Sequence, residues 1–340
     1  MKAVVLKNPF EVSIEERPFP QPSPNEVRIR VSYVGYCGTD IMVWQGKYKA
    51  NYPIIPGHEF SGMIDAIGEN VANLKVGDLV VAEASYPCHK CDLCLSNRAE
   101  FCRNRIALGR TRDGAMAEYI IVPAEIVHKI PKEVDLMEAQ SLVGLACAIR
   151  AVRHCGSAVG KDAAVIGSGH SAMLILQVLK AGGINKLALI GGKRISRLRL
   201  AEELGADLAI SYSSADLNDR LREFSPEGFD IVIEASGSAS TIPLAINMVK
   251  PGGKIIVFST YKERASNIPL EELYYKEITI QGSRAGSGEY QTASALLASG
   301  KVKVKPMITH VVEINEAAKG FEIASSNDEK VFRVVMKIGA

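Results

Sequence analysis

The 340-residue sequence lacks a strong charge imbalance. Its 40 Lys and Arg residues are matched by 38 Asp and Glu residues, which leaves a formal net charge of +2. Such an even balance produces no broad field that would attract nucleic acid or an acidic membrane surface. We therefore expect neither a nucleic acid nor a membrane as a partner.

Long apolar runs and targeting segments are also missing. No uninterrupted stretch approaches the roughly 18 apolar residues of a membrane-spanning helix. The N-terminal sequence MKAVVLKNPFEVSIEERPFP is interrupted early by charge and proline, unlike a secretory signal. There is no internal repeat and no low-complexity tract. These absences predict a soluble cytoplasmic protein, and its length and apolar fraction of 47% suit two domains with sizeable cores.

Cysteine, in contrast, is concentrated in one short loop. Of the 7 cysteines, Cys88, Cys91, Cys94 and Cys102 have the spacing C-x2-C-x2-C-x7-C. In a reducing compartment such clusters mark metal or redox sites more often than disulfides. Four thiolates complete a tetrahedron around Zn²⁺ and leave no open position, so the loop predicts a structural zinc site. The spacing C-x2-C-x2-C also occurs in iron–sulfur proteins, which stays open as an alternative.

The pattern of secondary structure changes near residue 160. Before it, segments such as EVRIRVSYVGYCG and AEYIIVP predict a β-rich domain. After it, strand and helix patterns alternate from AAVIGSG to KIIVFST, which predicts a doubly wound parallel sheet with helices on both faces. The tail adds a helix, QTASALLASG, and a strand-like end, VFRVVMKIGA. The expected α/β protein has one domain at 1–148 and 287–340 and a second at 149–286.

A glycine-rich turn opens the first helix of the second domain. It follows the strand AAVI, has the form G-x-G-x-x-A and consists of Gly167, Ser168, Gly169, His170, Ser171 and Ala172. Glycines at these places permit a tight turn and let a pyrophosphate approach the backbone at the helix N-terminus. The turn therefore predicts dinucleotide binding.

The end of the next strand selects the dinucleotide. A carboxylate that would accept the ribose hydroxyls of NAD is missing there, and Gly192, Lys193 and Arg194 stand in its place. Two cations at the positive end of a helix dipole are unfavourable unless an anion binds them. Without a carboxylate nearby, they suit the 2′-phosphate of NADP(H). We therefore expect NADP(H) to be preferred over NAD(H).

Together these features resemble the zinc-dependent medium-chain alcohol dehydrogenase family over nearly the full length. The resemblance rests on the glycine turn, the four-cysteine loop, the order of the domains, and the stretches Cys37-Gly38-Thr39-Asp40 and Gly57-His58-Glu59. It implies a GroES-like catalytic domain and a Rossmann cofactor domain. It also implies a homodimer or homotetramer that pairs through an edge of the cofactor-domain sheet, near KIIVFST or the strand after it.

The resemblance assigns roles to individual residues. Cys88, Cys91, Cys94 and Cys102 would bind the structural zinc, and Cys37 and His58 would bind a catalytic zinc. Thr39 would contact the substrate hydroxyl and begin a proton path, whereas Asp40 would orient His58. Arg194 aligns with an arginine that grips the 2′-phosphate, and Tyr212 matches a residue of the same pocket in some NADP-dependent members.

One position departs from the family pattern. Relatives carry a third zinc ligand on the helix that leads into the cofactor domain, and alignment without gaps places Val143 there. Valine cannot bind zinc, Cys147 lies one helical turn away and Glu138 points off that face. Glu59 is the best replacement, so the predicted catalytic set is Cys37, His58 and Glu59, with a weak or absent zinc as the alternative.

Three functions remain open at this stage. The first is an oxidoreductase that interconverts an alcohol, polyol or sugar with its carbonyl compound, using zinc and NADP(H). The second is a zinc-independent enone or quinone reductase, which Val143 favours and the retained Cys37 and His58 oppose. The third is a non-catalytic NADPH-binding protein of the same fold. Ile41, Trp44 and Tyr48 predict a partly aromatic pocket for a small-molecule substrate, but they do not identify it.

Overall fold

The computed structural model describes residues 1–261 and 263–339, which fold into two compact units. The first unit, here the catalytic unit, contains Met1–Val143 and the residues from Ile308 onward. The second, the cofactor unit, contains Gly144–Met307. In the described part of the chain no helix has the length and apolar composition needed to cross a membrane.

The first segment of the catalytic unit is rich in strands. The strands are β1 (Lys2–Asn8), β2 (Glu11–Glu16), β3 (Glu26–Gly35), β4 (Glu59–Ile67), β5 (Leu79–Ala82), β6 (Ser85–Tyr86), β7 (Ile106–Ala107), β8 (Tyr119–Pro123) and β9 (Val127–Lys129). The helices of this segment are short: α1 (Gly38–Trp44), α2 (Asp92–Leu95) and α3 (Leu136–Ala139). Short 3-10 turns lie at Ala99–Phe101 and Ala124–Ile126.

The cofactor unit alternates helices and strands. Its helices are α4 (Leu142–His154), which starts at the end of the catalytic unit, α5 (His170–Ala181), α6 (Ile195–Glu203), α7 (Leu217–Phe224), α8 (Ile242–Met248), α9 (Leu270–Tyr275) and α10 (Tyr290–Ala298). Its strands are β10 (Ala163–Ile166), β11 (Leu187–Gly191), β12 (Leu208–Ser211), β13 (Phe229–Glu234), β14 (Val249–Val257) and β15 (Thr279–Gly282). The chain then returns to the catalytic unit with β16 (Ile308–Glu313), α11 (Ala317–Ser325) and β17 (Arg333–Lys337).

A seven-stranded sheet organises the catalytic unit. Its order is β16-β17-β3-β4-β5-β9, and β8 also pairs with β3. The long central strands β3 and β4 are antiparallel, and Gly35 at the end of β3 lies opposite Glu59 at the start of β4. Apolar side chains of β3 and β4 pack into one buried cluster, which includes Val34 and Phe60. The core thus fixes the register that brings Gly35 and Glu59 together.

The sheet of the cofactor unit is parallel throughout. Its order is β12-β11-β10-β13-β14-β15, so the strand order reverses between β10 and β13. The central strands β10 and β11 are buried at every residue, as expected for a parallel sheet covered by helices on both faces. This arrangement confirms the predicted doubly wound domain. In such sheets ligands bind at the carboxyl ends of the strands beside the reversal point.

The second predicted domain boundary differs from the structure. The sequence suggested a return to the catalytic domain at residue 287, whereas the compact units divide before Ile308. The reason is that the segment with α10 bonds to helices of the cofactor unit: Glu289 accepts two hydrogen bonds from Arg153, and Gln177 bonds both the N–H and the C=O of Lys303. The first boundary moves less, from residue 148 to Val143.

Candidate active site

The four cysteines of the loop converge as their spacing predicts. Neighbouring sulfurs are 3.5 Å apart for Cys91 and Cys94 and for Cys88 and Cys102, 3.8 Å for Cys91 and Cys102, and 4.0 Å for Cys88 and Cys94. A tetrahedral zinc with Zn–S bonds of about 2.3 Å requires sulfurs about 3.8 Å apart. A disulfide requires about 2.05 Å, and all 7 cysteines are free thiols. The donor set therefore fits one zinc ion in a closed site.

Backbone amides prepare this loop to hold negative charge. The N–H of Cys94 points at the sulfur of Cys91 and is the main reason that the pKa of this thiol falls to about 6, to which the N–H of Arg103 adds. Burial, together with the neighbouring sulfurs, raises the pKa of Cys94 to about 12. Because a metal ligand must be a thiolate, a cation is needed to ionise all four sulfurs together.

A second donor cluster lies in the catalytic unit at the ends of β3 and β4. Cys37 follows β3 by two residues and precedes α1, while His58 and Glu59 lie at the start of β4. Because β3 and β4 pair with Gly35 opposite Glu59, the three residues meet, and one ligand atom of each lies within 4.8 Å of the others. A thiolate, an imidazole and a carboxylate form a donor set that fits a catalytic zinc with an open position.

Asp40 supports this second cluster from the first turn of α1. Its buried carboxylate accepts hydrogen bonds from the backbone N–H groups of Cys37 and Gly57, at 3.0 and 3.2 Å, and lies 3.2 Å from Nδ1 of His58. Burial alone would lower the pKa of His58, but Asp40 and the Cys37 sulfur outweigh burial and raise this pKa well above its ordinary value. Asp40 therefore fixes the ring and directs its other nitrogen toward the donor cluster.

Glu59 has a partner that the sequence analysis missed. Arg333, at the start of β17, is buried and donates hydrogen bonds to the Glu59 carboxylate and, at 2.6 Å, to the side-chain oxygen of Gln140. It also bonds the backbone oxygen of Tyr36 at 3.2 Å. Glu59 is thus held between the donor cluster and a buried cation. A charged residue inside the apolar strand VFRVVMK was the signal that could have revealed this pair, because arginine is rarely buried without a partner.

The remaining predicted residues of the catalytic unit occupy different places. Thr39 is half-buried in the first turn of α1, one residue before Asp40. Val143 is buried near the start of α4, and among the described residues the donor cluster contains only the three residues named above. Glu138, half-buried, and Cys147 are not part of it.

The glycine turn connects β10 to α5 at the carboxyl end of the sheet, beside the reversal of strand order. Gly167 has φ +125, and a Cβ there would lie 2.8 Å from the backbone of Ala235 at the end of β13, so only glycine fits. Gly169 caps α5, and a Cβ there would meet nothing within 4 Å. The buried Ala172 lets α5 pack closely on the sheet. The turn thus offers open space in front of the N–H groups at a helix N-terminus.

The basic stretch begins where β11 ends. Gly192 is exposed, and a Cβ on it would meet nothing within 4 Å, so the space beside it is open. Arg194 caps the N-terminus of α6, with the exposed Lys193 before it. Tyr212, 45% exposed, follows β12 and donates its backbone N–H to Gly191 at 2.7 Å, which places it beside the stretch.

The structure adds Arg197 to this basic group. Its Nη1 donates to the backbone oxygen of Ser168 in the glycine turn at 3.3 Å. Burial, and after it the charge of Arg194, lowers the pKa of Arg197 to about 10. A bound anion would favour the charged guanidinium and so offset this lowering of its pKa. The sequence signal for this residue was its position three after Arg194, on the same face of the helix.

Two family models match the chain. The alcohol dehydrogenase GroES-like domain matches residues 23–132, and the zinc-binding dehydrogenase domain matches residues 172–299. The first lies within the catalytic unit and the second within the cofactor unit. The GroES-like and Rossmann assignments of the two domains are therefore confirmed.

Known proteins resemble the chain over nearly its full length. The probable D-xylulose reductase A of Aspergillus clavatus is 34% identical over 94% of this chain and 92% of its own length. Among solved structures, a zinc-binding dehydrogenase from Sinorhizobium meliloti bound to NADP has a TM-score of 0.92 at 27% identity, over 99% of this chain and 98% of that one. An alcohol dehydrogenase from Escherichia coli CFT073 complexed with NADH has a TM-score of 0.92 at 29% identity, over 99% of both chains.

The predicted family and the observed geometry agree. The same family is indicated by both family models, by the relative with 34% identity and by the two-unit fold. The chain belongs to the zinc-dependent medium-chain alcohol dehydrogenase family.

Proposed function

We propose that the protein interconverts a polyol or sugar alcohol and its carbonyl compound, with hydride transfer to or from NADP(H). The observation that carries this proposal is the cluster of the half-buried Cys37 with the buried His58 and Glu59, and with Asp40 behind the imidazole. The relative from Aspergillus clavatus is named for the reduction of D-xylulose, and reduction of a ketose carbonyl gives a polyol. In the oxidative direction the alcohol carbon gives a hydride to the nicotinamide and the hydroxyl gives its proton to solvent.

Each residue of the cluster has a distinct part in this proposal. Cys37, His58 and Glu59 would hold a zinc ion, which would supply a Lewis acid for the substrate oxygen. Asp40 keeps the imidazole oriented, and Arg333 compensates the charge of Glu59. Thr39, half-buried beside Asp40, takes up the proton of the substrate hydroxyl and passes it toward solvent.

A zinc-independent reductase is the second candidate, and Val143 is the observation that favours it. Metal content and activity separate the candidates. We expect 2 zinc ions per chain, of which mild chelation removes one together with activity toward polyols and ketoses. Full activity with zinc only in the cysteine loop would establish the zinc-independent reductase. Cofactor binding without turnover of any alcohol or carbonyl compound would indicate a non-catalytic protein.

The preference for NADP(H) forms a separate part of the proposal. Open space beside Gly192 and the cations Lys193, Arg194 and Arg197 support a site for the 2′-phosphate. Tyr212 lies beside the same strand end. A guanidinium–phosphate contact contributes about 1.5–3 kcal/mol, or roughly 10- to 100-fold in affinity. Solved relatives bind NADP in one case and NADH in another, so the fold alone does not select the cofactor.

Paired substitutions test this preference. Gly192→Asp with Arg194→Ala introduces a carboxylate and removes a cation, and we expect it to reverse a preference for NADP(H) of at least about tenfold in kcat/KM. Arg199→Ala, which removes an exposed arginine further along α6, serves as the control. Equal or better efficiency of the unmodified protein with NAD(H) would contradict the assignment.

Further proposals concern assembly and location. The cysteine loop binds a structural zinc that stabilises its part of the catalytic unit. β15 forms one edge of the parallel sheet, and Thr279, Ile280 and Gly282 on it are exposed, which supports pairing of two chains at this edge. Free thiols support a reducing compartment such as the cytoplasm.

A further inference from the structure

Three cations gather on two loops of the catalytic unit. Lys47 and Lys49 flank Tyr48 after α1, and Arg110 lies in the turn after β7. The guanidinium carbon of Arg110 stands 3.9 Å from the centre of the Tyr48 ring, and its Nε donates to the backbone oxygen of Lys49 at 3.3 Å. The N–H of Asn51 bonds the backbone oxygen of Arg110 at 2.8 Å. The two loops are thus joined, and the Arg110 guanidinium lies over the ring of the residue between the two lysines.

In the described part of the chain these three cations form no ion pair. Within residues 1–261 and 263–339, no carboxylate lies within ion-pair distance of Lys47, Lys49 or Arg110. Arg112, two residues further, shows the contrast, because its guanidinium bonds the Glu26 carboxylate and the Tyr86 hydroxyl at 2.8 and 2.6 Å. When one face of a guanidinium is stacked on an aromatic ring, its N–H groups still point outward in the guanidinium plane. Two of them can then donate parallel hydrogen bonds to one carboxylate or phosphate.

Both loops contact segments of chain that carry members of the donor cluster. The N–H groups of Lys47 and Tyr48 bond the backbone oxygen of Met42, so this loop folds back on α1. Met42 lies five residues after Cys37, about 7.5 Å along the helix axis. On the other loop, a Cβ at Gly109 would lie 2.9 Å from the backbone nitrogen of Gly57, the residue before His58. The turn that carries Arg110 therefore packs against the segment that carries His58 and Glu59.

We propose that Lys47, Lys49 and Arg110 form a subsite for an anionic group, a carboxylate or a phosphate, at the end of the substrate remote from the reacting carbon. The substrate is then a sugar acid or a phosphorylated polyol rather than a neutral polyol. This inference rests on the proposed alcohol oxidation and specifies its substrate class. Tyr48 has a positioning role, because its ring holds the guanidinium in place.

The test compares three substrates with the same carbon skeleton: a neutral polyol, the corresponding sugar acid and the polyol phosphate. With the zinc-loaded enzyme we expect kcat/KM to be at least about tenfold higher for one of the anions, mainly through KM. Arg110→Gln should remove this advantage and leave the neutral polyol unchanged. Because Arg110 is only half-buried, the advantage should also shrink in high salt. The better of the two anions identifies the anionic group.

A matched control and a binding measurement complete the test. Arg98 also stands over an aromatic ring, 5.4 Å from the centre of the Phe101 ring. Arg98→Gln should leave the ratio of kcat/KM between each anion and the neutral polyol unchanged. Calorimetry of the same two anions should show weaker binding to Arg110→Gln, whether or not turnover occurs. If the neutral polyol is the best substrate and Arg110→Gln changes nothing, the subsite is wrong and the alcohol oxidation stands. If nothing is oxidised but Arg110 still governs anion binding, the oxidation is wrong and the subsite stands.

Discussion

The two donor clusters of the catalytic unit are built in different ways. The cysteine loop takes four identical donors from one short stretch of chain, and its sulfurs are partly exposed except at Cys102. The Cys37, His58 and Glu59 cluster takes three different donors from two strand ends, and its support comes from Asp40 and from Arg333 far along the chain. The first cluster depends on local spacing and the second on sheet register. Metal should therefore stabilise the loop directly, whereas the rest of the fold should hold the second cluster in place.

We expect the largest loss of activity when one sulfur is removed from the cluster of Cys37, His58 and Glu59. Cys37→Ala takes away one of three protein donors, and loss of a metal that stabilises the transition state by several kcal/mol lowers kcat/KM by at least about 10³-fold. Metal content should fall from two ions to one, with little change in thermal stability. If the Cys37→Ala protein turns over nearly as fast as the unmodified protein, the second cluster does not hold a metal that is needed for activity.

The matching substitution in the loop should affect stability instead. Cys94→Ser removes one of four thiolates from a closed site, and because metal binding there contributes to folding, the free energy of unfolding should fall by several kcal/mol. Thermal unfolding measures this loss, and active-site titration gives the turnover of the molecules that remain folded, which should be unchanged. Unchanged melting with abolished turnover would reverse the roles of the clusters.

We expect the smallest effect, a loss of metal affinity, from substitution of Asp40, which lies behind His58. The N–H groups of Cys37 and Gly57 bond different oxygens of the Asp40 carboxylate, so Asp40→Asn keeps an acceptor for only one of them and loses the charge that faces His58. Such partners of a metal ligand typically account for 10- to 100-fold in metal affinity. Competition with a chelator should show this loss at the second cluster only. An equal loss at the cysteine loop would mean that Asp40 acts on the whole unit.

The same contrast explains what the sequence could predict. The spacing of the four cysteines and the turn at Gly167 are local patterns, and the structure places both as expected. The doubly wound sheet followed from the alternation of strands and helices. Arg333 could not be paired with Glu59, because 274 residues separate them and only the position of β17 beside β3 brings them together. The compact units divide near residue 308 and not near residue 287 for a similar reason, since hydrogen bonds of Gln177 and Arg153 join the segment with α10 to the cofactor unit.

The pairing of Glu59 with Arg333 also affects how the protein matures on the ribosome. The 274 residues between them take roughly 15–55 s to synthesise at 5–20 residues per second. During that interval the carboxylate that will lie buried beside Cys37 and His58 lacks Arg333, and β3 lacks β17. The cofactor unit is continuous in sequence and contains every strand of its own sheet. Although its synthesis starts later, it is therefore the first of the two units that the nascent chain can complete.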